Sequence, residues 1–351
     1  MTALIKNPAP CNFGPLTATA PATPAAPRPP ILTGGQARAL ESMVALGELF
    51  YACGTTGLCA IRPRLFPLLV GPTGAGKSWL VRQVAEKLAV KLLPITFGSW
   101  LPLGARLDRP TQFTIIDALL RYDRVALHLD ELDKVGSEVS TDWGRSIFND
   151  LWNVLDHRLD AASFLENDFA ARTQRGSIDP GLDLCDKYHA FGLLQIEHVG
   201  SADRFVRFIA ERARHGLWIV GSGTWQKVFE NARDSRRIGF APAAGQGSAL
   251  ATPDAAIVDQ IRASGAIPAE LLARFSTELL VLTYPNPAEL AQLIESLGIN
   301  ALARAAGTTV TPGDLDLTVA GMRTLESLVT KLLLRFDARR RAELAAMDLP
   351  P

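Results

Sequence analysis

Leu68-Leu69-Val70-Gly71-Pro72-Thr73-Gly74-Ala75-Gly76-Lys77-Ser78, continued by Trp79-Leu80-Val81-Arg82-Gln83-Val84-Ala85-Glu86-Lys87, is the stretch that decides how this chain is built. Three apolar residues read as a short buried strand, Gly71 to Ser78 follows the pattern GxxxxGKS, and the text after it has helical composition. A strand running into that pattern and out into a helix places the glycines at a sharp turn over a helix N-terminus. Gly71, Gly74 and Gly76 let the backbone curl so that the amides around Pro72, Thr73, Ala75 and Trp79 point toward phosphate oxygens. Lys77 is positioned to neutralise the β and γ phosphates of a nucleotide, and the Ser78 hydroxyl to take a Mg²⁺ position. A plain Gly-rich turn at a helix start is the alternative, and the flanking strand and helix argue against it.

Asp130 lies fifty-three residues beyond Lys77, in the run Val125-Ala126-Leu127-His128-Leu129-Asp130-Glu131-Leu132-Asp133-Lys134, which reads as a buried strand with two carboxylates at its C-terminal end, where α/β sheets place their ligands. Asp130 is expected to hold Mg²⁺, through water, and Glu131 to orient and activate an attacking water. A solvated helix N-cap is the competing account of the pair. His128 reads as a packed strand residue, on the argument that strand alternation does not put it beside both carboxylates.

Outward from these two stretches, the 351 residues carry 36 Lys+Arg against 36 Asp+Glu, a formal net charge of zero, and 48% hydrophobic residues. That composition supports a substantial core in one or two domains and excludes a globally disordered chain or a strongly basic nucleic-acid binder. Cys11, Cys53, Cys59 and Cys185 form no CxxC pair and no zinc-finger spacing, so they read as reduced thiols of a cytoplasmic protein. No uninterrupted apolar run approaches the roughly 18 residues of a membrane helix. Residues 1–30 are rich in Pro, Ala and Thr and are expected to form a disordered or polyproline-like tail. From Ile31 the text alternates between buried-strand and helix patterns, as expected of an α/β domain with a parallel sheet.

The order of these motifs resembles the AAA+ ATPases, and within them the ClpX-type unfoldases of the Clp/HslU clade. Asp130 to Lys134 is similar to that clade's acidic box. Gly216 to Phe229 resembles the strand that ends in a polar sensor of the γ-phosphate or of the water, a role for Ser222 or Thr224, with Ser222 the favoured one. Gly265 to Leu282 resembles the segment with the arginine finger, which puts Arg274 in the matching position for action on a neighbouring subunit. "AGMRTLESLVTKLLLRF" resembles a lid helix that opens with Arg323 against the phosphates, and its Leu325, Leu328, Val329, Leu332 and Leu333 share one face. Leu32, Thr33 and Gly34 match the segment that frames adenine. The resemblance implies an α/β fold with a P-loop parallel sheet flanked by helices over 31–283, a small C-terminal α-helical lid domain over 284–346, and a tail at 347–351.

The departures from that clade are specific. The four cysteines, without metal-ligand spacing, cannot make the clade's N-terminal zinc module. The aromatic pore loop is missing as such, and the nearest candidate is Gly98 to Gly104, whose Trp100 either presses on a translocating chain or packs on its own domain. Residues 161–215 are longer than the equivalent and unlike it, which suggests a partner-defining insertion. Ile238-Gly239-Phe240 sits where ClpX-type proteins dock on the ClpP peptidase, or is a self-packing loop. The resemblance implies ATP and Mg²⁺ as cofactors, hydrolysis of ATP to ADP and phosphate, and a homo-oligomer, with a hexamer expected, acting as a remodeller or chaperone on a protein client. A nucleic-acid-associated ATPase is the alternative, with basic clusters at Arg204, Arg207, Arg212 and Arg214 and at Arg339 to Arg341. A nucleotide-gated scaffold is the third class.

Overall fold

The computed structural model describes residues 32–56, 65–103, 109–138, 140–166, 202–230, 253–275, 279–315 and 323–347. The tail 1–30, Ile238-Gly239-Phe240, Cys11, Cys59, Cys185, His189 and His198 lie outside the described residues. Leu68, Leu69 and Val70 are wholly buried and form β1 (Leu68–Val70). Leu69 pairs with Ser222 of β4 (Leu217–Gly223) on one side and with Leu280 of β5 (Leu279–Val281) on the other. β4 pairs with β3 (Val125–Asp130) and β3 with β2 (Lys91–Thr96), all parallel, in the order β2-β3-β4-β1-β5. Runs such as Leu217-Trp218-Ile219-Val220 carry no alternation because the inner strands of a parallel sheet are covered on both faces. β2 lies at the edge and is largely open to solvent, so it tolerates Pro94, whose ring cannot donate to a ladder.

Parallel neighbours need crossover connections, and helices supply them. In chain order these are α1 (Gly34–Thr56), α2 (Lys77–Lys87), α3 (Thr111–Arg121), α4 (Val135–Glu138), α5 (Asp142–Leu155), α6 (Ala202–Gly216), α7 (Pro253–Ala263) and α8 (Ala269–Leu272). α6 runs directly into β4, and its Phe205 and Ile209 join Phe113 and Ile116 of α3 and Phe164 in an apolar cluster. Both ends of the 161–215 stretch therefore pack on the domain, and residues 167–201 lie outside the described residues.

After β5 the chain builds a helical unit with its own core. α9 (Pro287–Ser296) starts with a capping box, Asn286 and Glu289 exchanging hydrogen bonds with each other's backbone, and with proline in the first turn. α10 (Ile299–Ala305) and α11 (Arg323–Met347) complete it, with Leu290, Ile294, Ile299, Ala303, Leu325 and Leu332 buried together. The apolar face expected on α11 is observed at Leu325 and Leu332, with Leu328 and Val329 packed against them, whereas Leu333 is 50% exposed. Among the described residues no helix is long and apolar enough to cross a membrane.

Candidate functional site

β3, β4 and β1 are neighbours, so whatever leaves their C-terminal ends converges on one place. From β1 comes the loop 71–76. Gly71 allows the backbone to pass β5, since a Cβ there meets the Leu282 carbonyl oxygen at 2.8 Å. Gly76 has a left-handed φ of 86° and stands at the N-cap of α2 without a side-chain cap, leaving the first amides of that helix for an incoming acceptor. Gln36 of α1 braces the loop by donating to the Ala75 carbonyl at 3.0 Å. Thr73 is held at both its polar backbone groups: its N–H donates to Gln226 Oε1 at 3.2 Å and its carbonyl accepts from the Tyr284 hydroxyl at 3.2 Å.

Lys77 is buried beneath this loop and donates to the Gly71 and Pro72 carbonyls at 2.6 and 3.0 Å. Burial lowers its ammonium to about 8, Asp130 and Asp133 oppose that shift, and the positive charge of Arg323 adds to it. A buried cation bonded only to carbonyls among the described residues, under a curl of amides, fits a polyphosphate. Ser78 donates from Oγ to Asp130 Oδ2 at 3.0 Å. No group of three or more His, Cys, Asp or Glu able to hold a metal occurs among the described residues. One hydroxyl and one carboxylate fit Mg²⁺, which takes few protein ligands and completes its shell with phosphate and water.

Asp130 accepts three hydrogen bonds: from Ser78, from Ser222 Oγ at 2.6 Å, and from the Glu131 N–H at 2.9 Å. Burial alone raises such a carboxyl, but the Ser222 hydroxyl, the nearby His128 and the other donors hold it below the ordinary carboxylate range. His128 Nε2 lies 2.8 Å from Ser222 Oγ. His128 is the packed strand residue expected, and because residues two apart on β3 share a face it also stands behind Asp130, one of the two carboxylates, with the Ser222 hydroxyl between them. Glu131 leaves the strand at φ 65° and ψ 31°, and its Oε1 contacts Lys134 Nζ at 2.9 Å.

Ser222 is fully buried and its single proton is spent on Asp130. Thr224 is committed to Asp133, which accepts from its hydroxyl at 2.8 Å and from its amide at 3.0 Å. Arg323 opens α11, near enough to Lys77 for its charge to be felt there. Arg274 is not in that cluster: it grips Asp156 with Nε and Nη2 at 2.8 and 3.0 Å and lies over the Trp152 ring at 3.5 Å. Trp79 is half-buried and packs on the main core. Trp100 is 2% exposed and its Nε1 donates toward Asp150 at 3.4 Å, so of its two expected placements this side chain takes the one packed on its own domain.

Sequence reasoning missed Gln36, Gln226 and Tyr284, which no local pattern ties to the loop. His128 was within reach of it, through the two-residue period of β3. Comparison of the chain with curated proteins returns no match. The segment 67–182, which carries β1 to β3, the loop 71–76 and the Asp130-Glu131 pair, matches the model of the ATPase family associated with various cellular activities (AAA), and with the parallel sheet it gives the chain an α/β fold of AAA type.

Proposed function

We propose that the protein is an ATP-binding and ATP-hydrolysing AAA+ ATPase that assembles into a ring, a hexamer, and remodels protein clients. The observation that carries this reading is the Ser78 hydroxyl on Asp130 at 3.0 Å, next in sequence to the buried Lys77. In this reading Lys77 exchanges the carbonyls of Gly71 and Pro72 for the β and γ phosphates of ATP. Ser78 and Asp130 would hold Mg²⁺, which would supply charge neutralisation on the phosphates. Glu131 turns from Lys134 to accept the proton of the attacking water, and the products are ADP and phosphate. Arg323 senses the γ-phosphate from the lid. Arg274 acts on the neighbour's nucleotide from a guanidinium that Asp156 and Trp152 keep in place.

The basic clusters lend little support to the nucleic-acid alternative. Arg212 pairs with Asp123, Arg341 with Asp337, Arg214 with Glu211 at 3.2 Å and Arg339 with Glu343 at 2.8 Å. Arginines balanced by their own carboxylates leave a weak field for a phosphate backbone. Steady-state ATPase of Glu131→Gln tests the reading. Turnover is expected to fall by about 10²-fold or more, the usual contribution of a positioned base, while binding of a fluorescent ATP analogue is unchanged. Turnover that survives the substitution overturns it.

A further inference from the structure

His128 is a polar ring, 2% exposed, in a strand whose other buried residues are Val125, Ala126, Leu127 and Leu129. Such a residue costs stability unless its nitrogen has a partner, and its partner is the Ser222 hydroxyl, 2.8 Å away. The proton inventory fixes the direction of this contact. Asp130 is a carboxylate and can only accept. The one Ser222 proton lies on Asp130 Oδ1 at 2.6 Å, so Oγ has only lone pairs to offer His128. Nε2 must then be the protonated nitrogen. The result is a directed chain, His128 Nε2–H to Ser222 Oγ–H to Asp130, with Ser78 and the Glu131 amide closing on the same carboxylate.

We propose that His128 is a positioning residue of this site: by filling the Ser222 lone pair it locks that hydroxyl onto Asp130 Oδ1 and so fixes the carboxylate plane that faces Ser78 and Mg²⁺. The inference rests on the reading of Asp130 as the group that holds Mg²⁺. A serine hydroxyl is a free rotor, and nothing else within the chain of contacts dictates that it point at Asp130 rather than toward a phosphate or a backbone carbonyl. Outer partners of metal-holding carboxylates are worth about 10- to 100-fold in metal affinity or activity. The buried His128 supplies that partner from a strand position two residues before the ligand, through a neighbouring strand.

The test is the Mg²⁺ dependence of binding of a fluorescent ATP analogue to the full chain, with a parallel titration in EDTA. His128→Leu is expected to raise the Mg²⁺ concentration for half-saturation about 10-fold and to leave metal-free binding unchanged. His128→Gln, which keeps an N–H donor, is expected to recover most of that loss. Ser222→Ala is expected to match His128→Leu, and the double variant to be no worse than Ser222→Ala alone, because both act through one hydroxyl. Losses that multiply, or a Gln variant as impaired as Leu, overturn the proposal. In the unsubstituted protein the ¹⁵N spectrum of the imidazole is expected to show the Nε2–H tautomer, and an Nδ1–H tautomer overturns the proposal even where a variant does not fold. Unsubstituted protein that binds no Mg²⁺-nucleotide overturns the reading of the site itself. Variants that bind with unaltered Mg²⁺ dependence overturn the role of His128 alone.

Discussion

Glu131 occupies the left-handed region at φ 65°, where a side chain with Cβ is held against its preference. The residue stays there because β3 stops at Asp130 and the Leu132–Lys134 turn starts at once, so the backbone reverses at Glu131. Strain kept at a site of chemistry is removable at the expense of function. Glu131→Asn, a residue tolerant of this conformation, is expected to stabilise the protein by about 0.5–1 kcal/mol while abolishing hydrolysis, as thermal unfolding alongside an ATPase assay will show. Lys77 is the second residue held against its preference. Its value of about 8 lies below that of the unfolded chain, so the fold disfavours the charged form. That cost is fully present below pH 8, shrinks between about 8 and 10.5 as the native state loses its proton first, and is gone above. Stability is expected to rise with pH across that window, by up to about 3 kcal/mol, and Lys77→Met to flatten the rise in urea titrations. Lys77, Ser78, Asp130 and Glu131 were legible in the sequence because a strand, a fixed glycine spacing and a helix leave their backbone little choice. Gln36, Gln226 and Tyr284 were not, because they meet the loop across 39, 153 and 211 residues.

At the scale of elements, the inner strands were readable because burial on both faces demands unbroken apolar text. Their order was not, since apolar runs carry no label for a neighbour. Gly221 shows what the neighbour relation requires. A Cβ on this residue of β4 meets Phe275 at 2.6 Å, Leu132 at 2.8 Å and Leu68 at 2.9 Å, the side chains of three separate segments. Gly221→Ala is expected to destabilise by about 1–3 kcal/mol through overpacking, with a fall in the urea midpoint and an unchanged slope. The α5 and α8 ends meet in a different way, through Arg274 bonded in two places to Asp156 and stacked on Trp152. Both charged side chains are only 20% exposed, so the pair is screened less than a surface one. Asp156→Asn retains the shape and removes the charge, and is expected to cost about 1 kcal/mol. A double-mutant cycle with Arg274→Met will separate that coupling from the packing of each residue. Nothing in the sequence announced the pair, as Asp156 and Arg274 are 118 residues apart.

On the scale of the whole molecule, the helical core of Leu290, Ile294, Ile299, Ala303, Leu325 and Leu332 shares no buried residue with the sheet core or with the apolar cluster between α3 and α6. Two hydrogen bonds join the helical unit to the loop 71–76 and to α1. Tyr284 reaches the Thr73 carbonyl at the loop, and Glu289 accepts from the Gly34 amide at 2.9 Å. Hydrogen bonds of this sort are each worth about 1 kcal/mol, far less than either core, so the two units are expected to open separately. Ile294 is the residue on which to test this, being buried in the helical core and part of neither hydrogen bond. Ile294→Ala removes three carbons and leaves a cavity, at about 2–5 kcal/mol. A core of six buried residues has little reserve against such a loss. Native-state hydrogen exchange is expected to speed up at the amides of α9, α10 and the first turns of α11, while the amides of β3 and β4 keep their protection. Exchange that rises equally in the sheet will mean that the two cores melt as one unit, and that the polar links carry more of the stability than their number suggests.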